Sequence, residues 1–145
     1  MAALSAEALL RLPVRLRGID LGRAVDLILD PVGGRALGID VLCKDGEHRF
    51  LPLSAAGIDG EEIAVSSALT LLAAGELAFY RKRASTMRLL RGAPVTSKGR
   101  EVGRLQDVIV GRGGVIEQLV VEGGRRIPAG DDVRISAEPR RVDAA

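Results

Sequence analysis

Residues that commonly form reactive or ligand-binding sites are scarce in this chain of 145 residues. There is one cysteine (Cys43), one histidine (His48) and only three aromatic residues, none of them tryptophan. A lone cysteine cannot form an internal disulfide, and one cysteine with one histidine cannot assemble the usual zinc ligand sets. With so few aromatic residues, Leu, Val, Ile and Ala must fill the core. We therefore expect neither a metal nor another cofactor.

Long apolar runs and enzyme signatures are missing as well. No segment reaches the roughly 18–20 apolar residues that a membrane-spanning helix requires. The N-terminal stretch carries Glu7 and no basic region before an apolar run, which is unlike a targeting peptide. The chain contains no P-loop and no G-x-S-x-G, G-x-G-x-x-G or H-E-x-x-H motif. We expect a cytoplasmic protein without a membrane span and without catalytic activity.

The charge is unevenly distributed along the chain. Hydrophobic residues make up 47% and charged residues 28%, as in soluble globular proteins. Residues 1–80 carry a net charge of −4, residues 81–104 carry +7 and residues 105–145 carry −1. The basic stretch predicts a docking patch formed by Arg81, Lys82, Arg83, Arg88, Arg91 and Arg104. Three interpretations remain open: solvated or intramolecular side chains, protein docking, and contacts to nucleic-acid phosphates.

The chain contains an internal repeat at a shift of 81 residues. Pro13, Val14, Gly18, Gly22, Arg23 and Asp26 coincide with Pro94, Val95, Gly99, Gly103, Arg104 and Asp107. After a gap of one residue, Gly33–Gly34 coincides with Gly113–Gly114. A match of this kind indicates two copies of one supersecondary unit.

Short strands with glycine-rich turns dominate the predicted secondary structure. Residues 23–30 predict a strand with Val25, Leu27 and Leu29 on one face, and residues 36–44 predict the longest strand of the first copy. Asp45–Gly46 predicts a type I′ hairpin turn. The second copy predicts strands at 104–110, 115–122, 125–127 and 133–136. Many short antiparallel strands at this spacing favour a small barrel.

Two segments have helical character instead. Residues 2–11 predict a short helix with Ser5 as its N-cap. Residues 68–83 predict an amphipathic helix, capped by Ser66 or Ser67, that Gly75 can interrupt.

The predicted fold class is therefore mainly β, with two small antiparallel barrels joined by an amphipathic helix. The first repeat covers residues 1–66, the helical linker 67–85, the second repeat 86–138 and a flexible tail 139–145. A copy of roughly 60 residues is only marginally stable alone. We therefore expect the copies to share a core or to pack against the linking helix.

The repeated unit resembles the PRC-barrel family. In the second copy the resemblance rests on Gly92, Val95, Gly99, Val102–Gly103, Leu105, Asp107-Val108-Ile109, Gly114, Leu119-Val120-Val121 and Arg126-Ile127-Pro128. In the first copy it rests on Val14, Gly18, Leu21–Gly22, Val25-Asp26-Leu27-Ile28, Gly34 and Leu51–Pro52. It covers most of residues 12–66 and 86–136.

The resemblance implies a non-enzymatic barrel that docks on other macromolecules. The expected function is that of a cytoplasmic adaptor that binds another protein, and a homodimer is compatible with it. Because the family includes a domain of a ribosome maturation factor, the alternative is a ribosome- or RNA-associated factor using residues 81–104.

The repeated polar and glycine positions are predicted to be critical for the fold: Gly22, Asp26, Gly34, Gly103, Asp107 and Gly114. Asp26 and Asp107 are polar residues in apolar strands, and a pair of carboxylates can act as acid and base. We favour a structural role, in which each carboxylate accepts hydrogen bonds from its own copy's glycine turn or a neighbouring strand. Cys43 is expected to be buried and His48 to be solvated.

Overall fold

The computed structural model describes residues 3–30, 34–71 and 84–136. Its strands are β1 (Leu4–Ser5), β2 (Pro13–Leu16), β3 (Ile19–Asp30), β4 (Arg35–Cys43), β5 (His48–Pro52), β6 (Ala56–Ile58), β7 (Ile63–Val65), β8 (Ser85–Thr86), β9 (Pro94–Ser97), β10 (Arg100–Val110), β11 (Ile116–Val121), β12 (Arg125–Pro128) and β13 (Val133–Ile135). Two short α-helices, α1 (Ala6–Leu9) and α2 (Met87–Leu90), and 3₁₀ turns at Leu53–Ala55, Ala68–Thr70 and Arg112–Gly114 complete it. The prediction of a mainly β fold is confirmed.

The strands form two almost entirely antiparallel sheets, one of which is a half-barrel. The first sheet has the order β5-β4-β3-β2-β7-β6, and β8 adds to β3. The second has the order β12-β11-β10-β9-β13, and β1 adds to β10. The exception to antiparallel pairing among these strands is β2 with β7, which run parallel.

Two short segments each pair with the sheet formed by the other half of the chain. We call residues 4–9 (β1 and α1) hook 1 and residues 85–90 (β8 and α2) hook 2. Hook 1 pairs with the end of β10, where Ser5 lies opposite Ile109. Hook 2 pairs with the end of β3, where Thr86 lies opposite Ile28. Thr86 lies 81 positions after Ser5, and Ile109 lies 81 positions after Ile28, so the exchange between the two halves is reciprocal.

A side-chain hydroxyl caps the helix of each hook. The Ser5 Oγ accepts a hydrogen bond from the Ala8 amide at 3.1 Å, and the Thr86 Oγ1 accepts one from the Leu89 amide at 3.2 Å. Such caps satisfy amides that a helix leaves unpaired in its first turn. The predicted cap at Ser5 is confirmed, although the helix ends earlier than expected, at Leu9.

One hydrophobic core contains residues from both halves. Leu27, Ile39 and Leu51 of the first sheet belong to the same buried cluster as Leu105 and Val108 of the second. Both hooks contribute to this cluster as well. A smaller cluster, Ile28 with Phe50, lies apart from it.

Bulges in β3 change which residues face the core. The pairing of β3 with β4 shifts register between Ala24 and Asp26, so Val25 is the extra residue. Ala24 therefore joins Leu27 and Leu29 in the main core, and Val25 is only half-buried. The prediction that Val25 shares a face with Leu27 and Leu29 was wrong, because strict alternation fails at a bulge.

The β4–β5 hairpin has a different turn from the one predicted. The Cys43 carbonyl accepts a hydrogen bond from the Gly46 amide at 2.9 Å, and neither Lys44 nor Asp45 has the positive φ that a type I′ turn needs. Only Gly46, with a φ of 87°, is left-handed. The Asp45 carboxylate accepts hydrogen bonds from the Arg49 guanidinium, the nearest at 2.9 Å, and from the Glu47 amide, which together lower the pKa of Asp45 to about 2.

Other sequence predictions need correction or lie outside the described residues. The longest strand of the first half is β3 with 12 residues, not β4 with 9, and β6 was not predicted. Residues 72–83, which hold most of the predicted linking helix, and the predicted tail are outside the described ranges. Where that helix was expected to begin, Ala68–Thr70 forms a 3₁₀ turn capped by Ser67.

Candidate functional site

A groove of about 490 Å³ lies where hook 2 crosses the first sheet. Strands β3, β4 and β5 form one side of it, and β8 with α2 forms the other. Its polar groups are the side chains of Asp26, Asp40, His48, Thr86 and Arg88. We call this groove 1. Its volume is typical of sites that bind small molecules or single side chains.

Asp26 holds hook 2 against β3. Its Oδ1 accepts hydrogen bonds from the Leu27 amide at 2.9 Å and from the Arg88 amide, in the first turn of α2, at 3.1 Å. The side chain is buried, with 7% of the residue exposed. A buried carboxylate needs such donors, because desolvation of an unpaired charge is very costly.

Asp107 makes the corresponding contacts with hook 1. Its Oδ1 accepts hydrogen bonds from the Val108 amide at 2.8 Å and from the Glu7 amide at 3.3 Å. The donors predicted from the sequence, namely the glycine turns and neighbouring strands, were therefore wrong. In each half the carboxylate accepts from the next residue along the strand and from the helix of the other half's hook.

Asp40 and His48 form the second polar pair of groove 1. The Nδ1 atom of His48 lies 2.8 Å from Oδ1 of Asp40, whose side chain is only 3% exposed. Asp40 lies directly opposite Asp26 on the neighbouring strand. Like charges at opposing positions repel each other. The Arg88 amide of α2, which donates to Asp26, and the His48 imidazole beside Asp40 reduce this repulsion. His48 is exposed, as expected, but its ring also contacts Asp40.

Sequence reasoning overlooked Asp40, although the signal was present. Asp40 stands between Ile39 and Val41 in an apolar strand, which is the same pattern that singled out Asp26 and Asp107. Unlike Asp26 and Asp107, Asp40 has no repeated counterpart, because the second copy has Val120 at the corresponding position. Strands disfavour aspartate, and such a residue in a strand interior calls for an explanation.

A second groove, of about 630 Å³, lies beside hook 1. We call it groove 2, and its polar side includes Ser5, Glu117, Gln118 and Arg126. Asp107 and the residue opposite it, Val120, do not line groove 2. Both grooves therefore border a hook, but they lie at different places on their sheets and differ in their chemistry.

The rim of groove 1 combines a cation with an exposed apolar side chain. Leu89 of α2 is 68% exposed, and the residue 81 positions earlier in hook 1 is Ala8. The Arg88 guanidinium donates to the Val25 carbonyl oxygen at 3.4 Å, which directs it along the rim. Leu89 therefore places an exposed apolar side chain at the edge of a polar groove.

The four glycines that were predicted to be critical for the fold form two groups, one at strand bulges and one where the two halves meet. Gly22 and Gly103 have φ values of 159° and 154° at bulges in β3 and β10, in separate sheets. Gly34 and Gly114 have φ values of 69° and 85° where the two halves meet. There, the Ile116 amide donates to the Gly34 carbonyl oxygen at 3.0 Å.

The basic stretch is only partly within the described residues. Arg81, Lys82 and Arg83 lie outside them. Arg91 donates to the Gln106 carbonyl oxygen at 3.2 Å, and Arg104 donates to the Gly92 carbonyl oxygen at 3.0 Å. Together with Arg88, these cations are exposed but are also engaged with backbone acceptors of the same molecule.

The remaining candidates are the cysteine, a metal site and a membrane-spanning helix. Cys43 is buried, as predicted. Among residues 3–30, 34–71 and 84–136, no group of three or more His, Cys, Asp and Glu side chains is arranged to hold a metal ion. Within the same ranges, no helix has the length and apolar character needed to cross a bilayer.

No protein-family model matches the sequence, and no curated protein matches it significantly. The interpretation of the site therefore rests on its own geometry.

Proposed function

We propose that this protein is a non-enzymatic docking module composed of two PRC-barrel-like units that exchange their N-terminal hooks. The expected partner is another protein. The observation that carries the proposal is groove 1 with the exposed Leu89 on its rim.

Recurrent backbone geometry supports the duplicated unit. Arg17 and Lys98, 81 residues apart, have φ values of 52° and 53°, and they are the non-glycine residues with positive φ within the described ranges. The glycines that follow them have φ values of 82° and 81°. Non-glycine residues adopt this conformation infrequently, so its recurrence at the same shift as the hooks favours two copies of one unit.

The composition of groove 1 supports docking of a protein segment. Interface energy is concentrated in a few anchors that are buried in pockets of the partner. Groove 1 supplies a pocket of suitable size, and Leu89 can be covered by the bound segment. Three of the five described cations of residues 81–104 already donate to backbone carbonyls, so a nucleic-acid interface has less support.

The proposal can be tested by selecting peptides from a random display library on the immobilised protein. Leu89→Ser should reduce the binding of the selected peptides at least about fivefold, because a buried apolar anchor contributes about 1 kcal/mol or more. Leu69→Ser is a matched control, since Leu69 is 89% exposed and does not line groove 1.

Both leucines are exposed, so neither change should alter stability by more than about 0.5 kcal/mol. Thermal melts would verify this. Failure to select any peptide, or equal losses from Leu89→Ser and Leu69→Ser, would contradict the docking function.

A further inference from the structure

We propose that groove 2 is a second binding site, which takes an aromatic side chain of a partner protein. The inference goes beyond the docking proposed at groove 1, because the two grooves have no lining residue in common. It follows from a comparison of groove 2 with the corresponding place in the first half, which the protein fills with its own Phe50.

The strand register identifies this corresponding place. One residue from each of four neighbouring strands forms a row across the second sheet, and the whole row lines groove 2: Ser5 (β1), Ile109 (β10), Gln118 (β11) and Pro128 (β12). The first sheet has the same row: Thr86 (β8), Ile28 (β3), Gly38 (β4) and Pro52 (β5). In both rows the first two residues are 81 positions from their counterparts, so the rows are equivalent places of the repeat.

In the first half, the Phe50 ring covers this row. Phe50 is 1% exposed and forms a buried cluster with Ile28, against which Leu37 and Ala84 pack. The ring lies directly on β4 at Gly38, because a Cβ on that glycine would collide with it. Where the chain fills this place itself, it therefore uses an aromatic ring packed on an isoleucine.

In the second half, the same place is open. Arg126 takes the position of Phe50 in the strand register, and Gln118 takes that of Gly38. The Gln118 Oε1 accepts a hydrogen bond from the Arg126 guanidinium at 3.3 Å. Ile109 is 8% exposed, whereas its counterpart in the first half is completely buried. These replacements leave the groove of about 630 Å³.

The lining of groove 2 suits an aromatic ring. Its apolar side consists of small and aliphatic residues: Ala3, Leu4, Ala8, Ile109 and Pro128. An enclosed cavity of about 150 Å³ accommodates benzene, so the size of groove 2 admits a benzyl side chain. The guanidinium of Arg126, which Gln118 orients, can stack on the face of a ring. An aliphatic side chain of the same size lacks this attraction.

The position of groove 2 favours a protein segment as the source of the ring. Phe50 is the aromatic residue of the described ranges, and it is already buried in the first half. Groove 2 borders β12, which is the last strand of its sheet within those ranges. An extended segment of a partner can pass along this edge and place one side chain in the groove.

The first probe is N-acetyl-L-phenylalanine amide, with N-acetyl-L-cyclohexylalanine amide as an apolar control of similar size. Binding would be followed by amide chemical shifts of the ¹⁵N-labelled full chain. The phenylalanine probe should give saturable shifts at residues that line the groove: Ser5, Ala8, Ile109 and Gln118. It should bind about threefold more tightly than the control, as stacking on a cation predicts. No saturable shifts there at about 20 mM, or equal binding of both probes, would overturn the inference.

A double variant transfers the filling of the first half to the second. Gln118→Gly with Arg126→Phe introduces the residue types of Gly38 and Phe50, so the new ring should fill the groove and weaken binding of the probe at least about tenfold. Arg134→Phe is the control, because Arg134 is exposed and lines neither groove. Undiminished binding by a double variant that melts cooperatively would overturn the inference.

Arg126→Gln tests the stacking without filling the groove. Arg126 is exposed, so this change should leave the fold intact. It should abolish the preference for the phenylalanine probe over the cyclohexyl probe, because the cation is lost. A preference that persists in this variant would show that Arg126 does not select the ring, and the inference would be wrong.

Two other sources of the ring are outcomes of the same experiment. If the phenylalanine probe binds only after Phe79→Ala and Tyr80→Ala are introduced together, the chain supplies the ring itself. If the probe instead dissociates a dimer in sedimentation velocity, a second copy supplies it. Either result would overturn the assignment to another protein.

The display selection distinguishes failure of this inference from failure of docking at groove 1. Peptides enriched in aromatic residues, lost with the double variant as bait but retained by Leu89→Ser, support groove 2. If all selected peptides depend on Leu89 and are retained by the double variant, docking at groove 1 stands and the role of groove 2 is overturned.

Discussion

At the scale of single residues, the same residue type serves different purposes at related positions. Gly22 and Gly103 both have positive φ, yet a side chain would meet different neighbours at each. A Cβ on Gly22 would collide with the backbone carbonyl oxygen of Leu42, whereas one on Gly103 would lie 2.8 Å from the Cβ of Val121. The backbone in the middle of a sheet can shift less than a side chain can, so the collision at Gly22 is harder to relieve than the contact at Gly103.

We therefore predict that Gly22→Val is more damaging than Gly103→Val. The first change should lower the free energy of unfolding by about 3 kcal/mol or more, and the second by about 1–3 kcal/mol, because strain at positive φ is common to both and the backbone collision is not. Urea denaturation would measure both values.

Gly60→Ala provides the control for this comparison. Gly60 has open space around its Cα and no positive φ, so its replacement should be nearly neutral. Equal losses for Gly22→Val and Gly103→Val would show that the contact with Leu42 does not determine the cost.

At the scale of elements, the hooks depend on contacts with the opposite half for their structure. Each contains a two-residue strand and a four-residue helix, which cannot be stable alone. Their order comes from the opposite half, through strand pairing and through the carboxylates of Asp107 and Asp26. Removal of one carboxylate should therefore affect one hook and spare the other.

We predict that Asp107→Ala accelerates amide hydrogen exchange in hook 1, and that Asp26→Ala does so in hook 2. Loss of a charged acceptor at the start of a helix costs about 1–2 kcal/mol, which corresponds to roughly 5- to 30-fold faster exchange through local opening. Hydrogen exchange measured by mass spectrometry on the full chain would resolve the two segments.

Each variant serves as the control for the other. If Asp107→Ala accelerated exchange in both hooks equally, the change would have destabilised the whole molecule rather than released its own hook.

At the scale of the whole molecule, the small net charge of +2 combines acidic and basic regions. Residues 81–104 carry the positive excess, but Arg88, Arg91 and Arg104 donate to backbone carbonyls of the same molecule. Sequence-independent affinity for nucleic acid depends on how many phosphates free cations can neutralise. Because these three cations are engaged within the molecule, we expect the protein to bind RNA weakly at physiological salt.

We predict a dissociation constant of about 100 µM or weaker for a 20-nucleotide single-stranded RNA at 150 mM salt, measured by fluorescence anisotropy. Replacing Arg81, Lys82 and Arg83 together with glutamine should change this little. Binding in the nanomolar range that falls about 10³-fold between 50 and 200 mM salt, and is lost in the triple variant, would instead support the RNA-associated alternative.

The local features of this protein could be predicted from its sequence. Ser5 as a helix cap, residues 125–127 as a strand and the hairpin at Gly46 were recognised because each depends on a few neighbouring residues. The recurrence of Gly22 and Asp26 at Gly103 and Asp107 also marked two related halves, since identical spacing is visible without coordinates.

Only the tertiary structure determined which partners those residues meet. The bulge at Val25 depends on the register with β4. One donor to each of Asp26 and Asp107 comes from a hook that is distant in sequence, 62 residues away for Arg88 and 100 for Glu7. The contact between Asp40 and His48 needs the β4–β5 register for the same reason. Periodicity describes the faces of one segment, whereas pairing between segments depends on the free energy of the whole fold, and so groove 1 emerged only from the assembled chain.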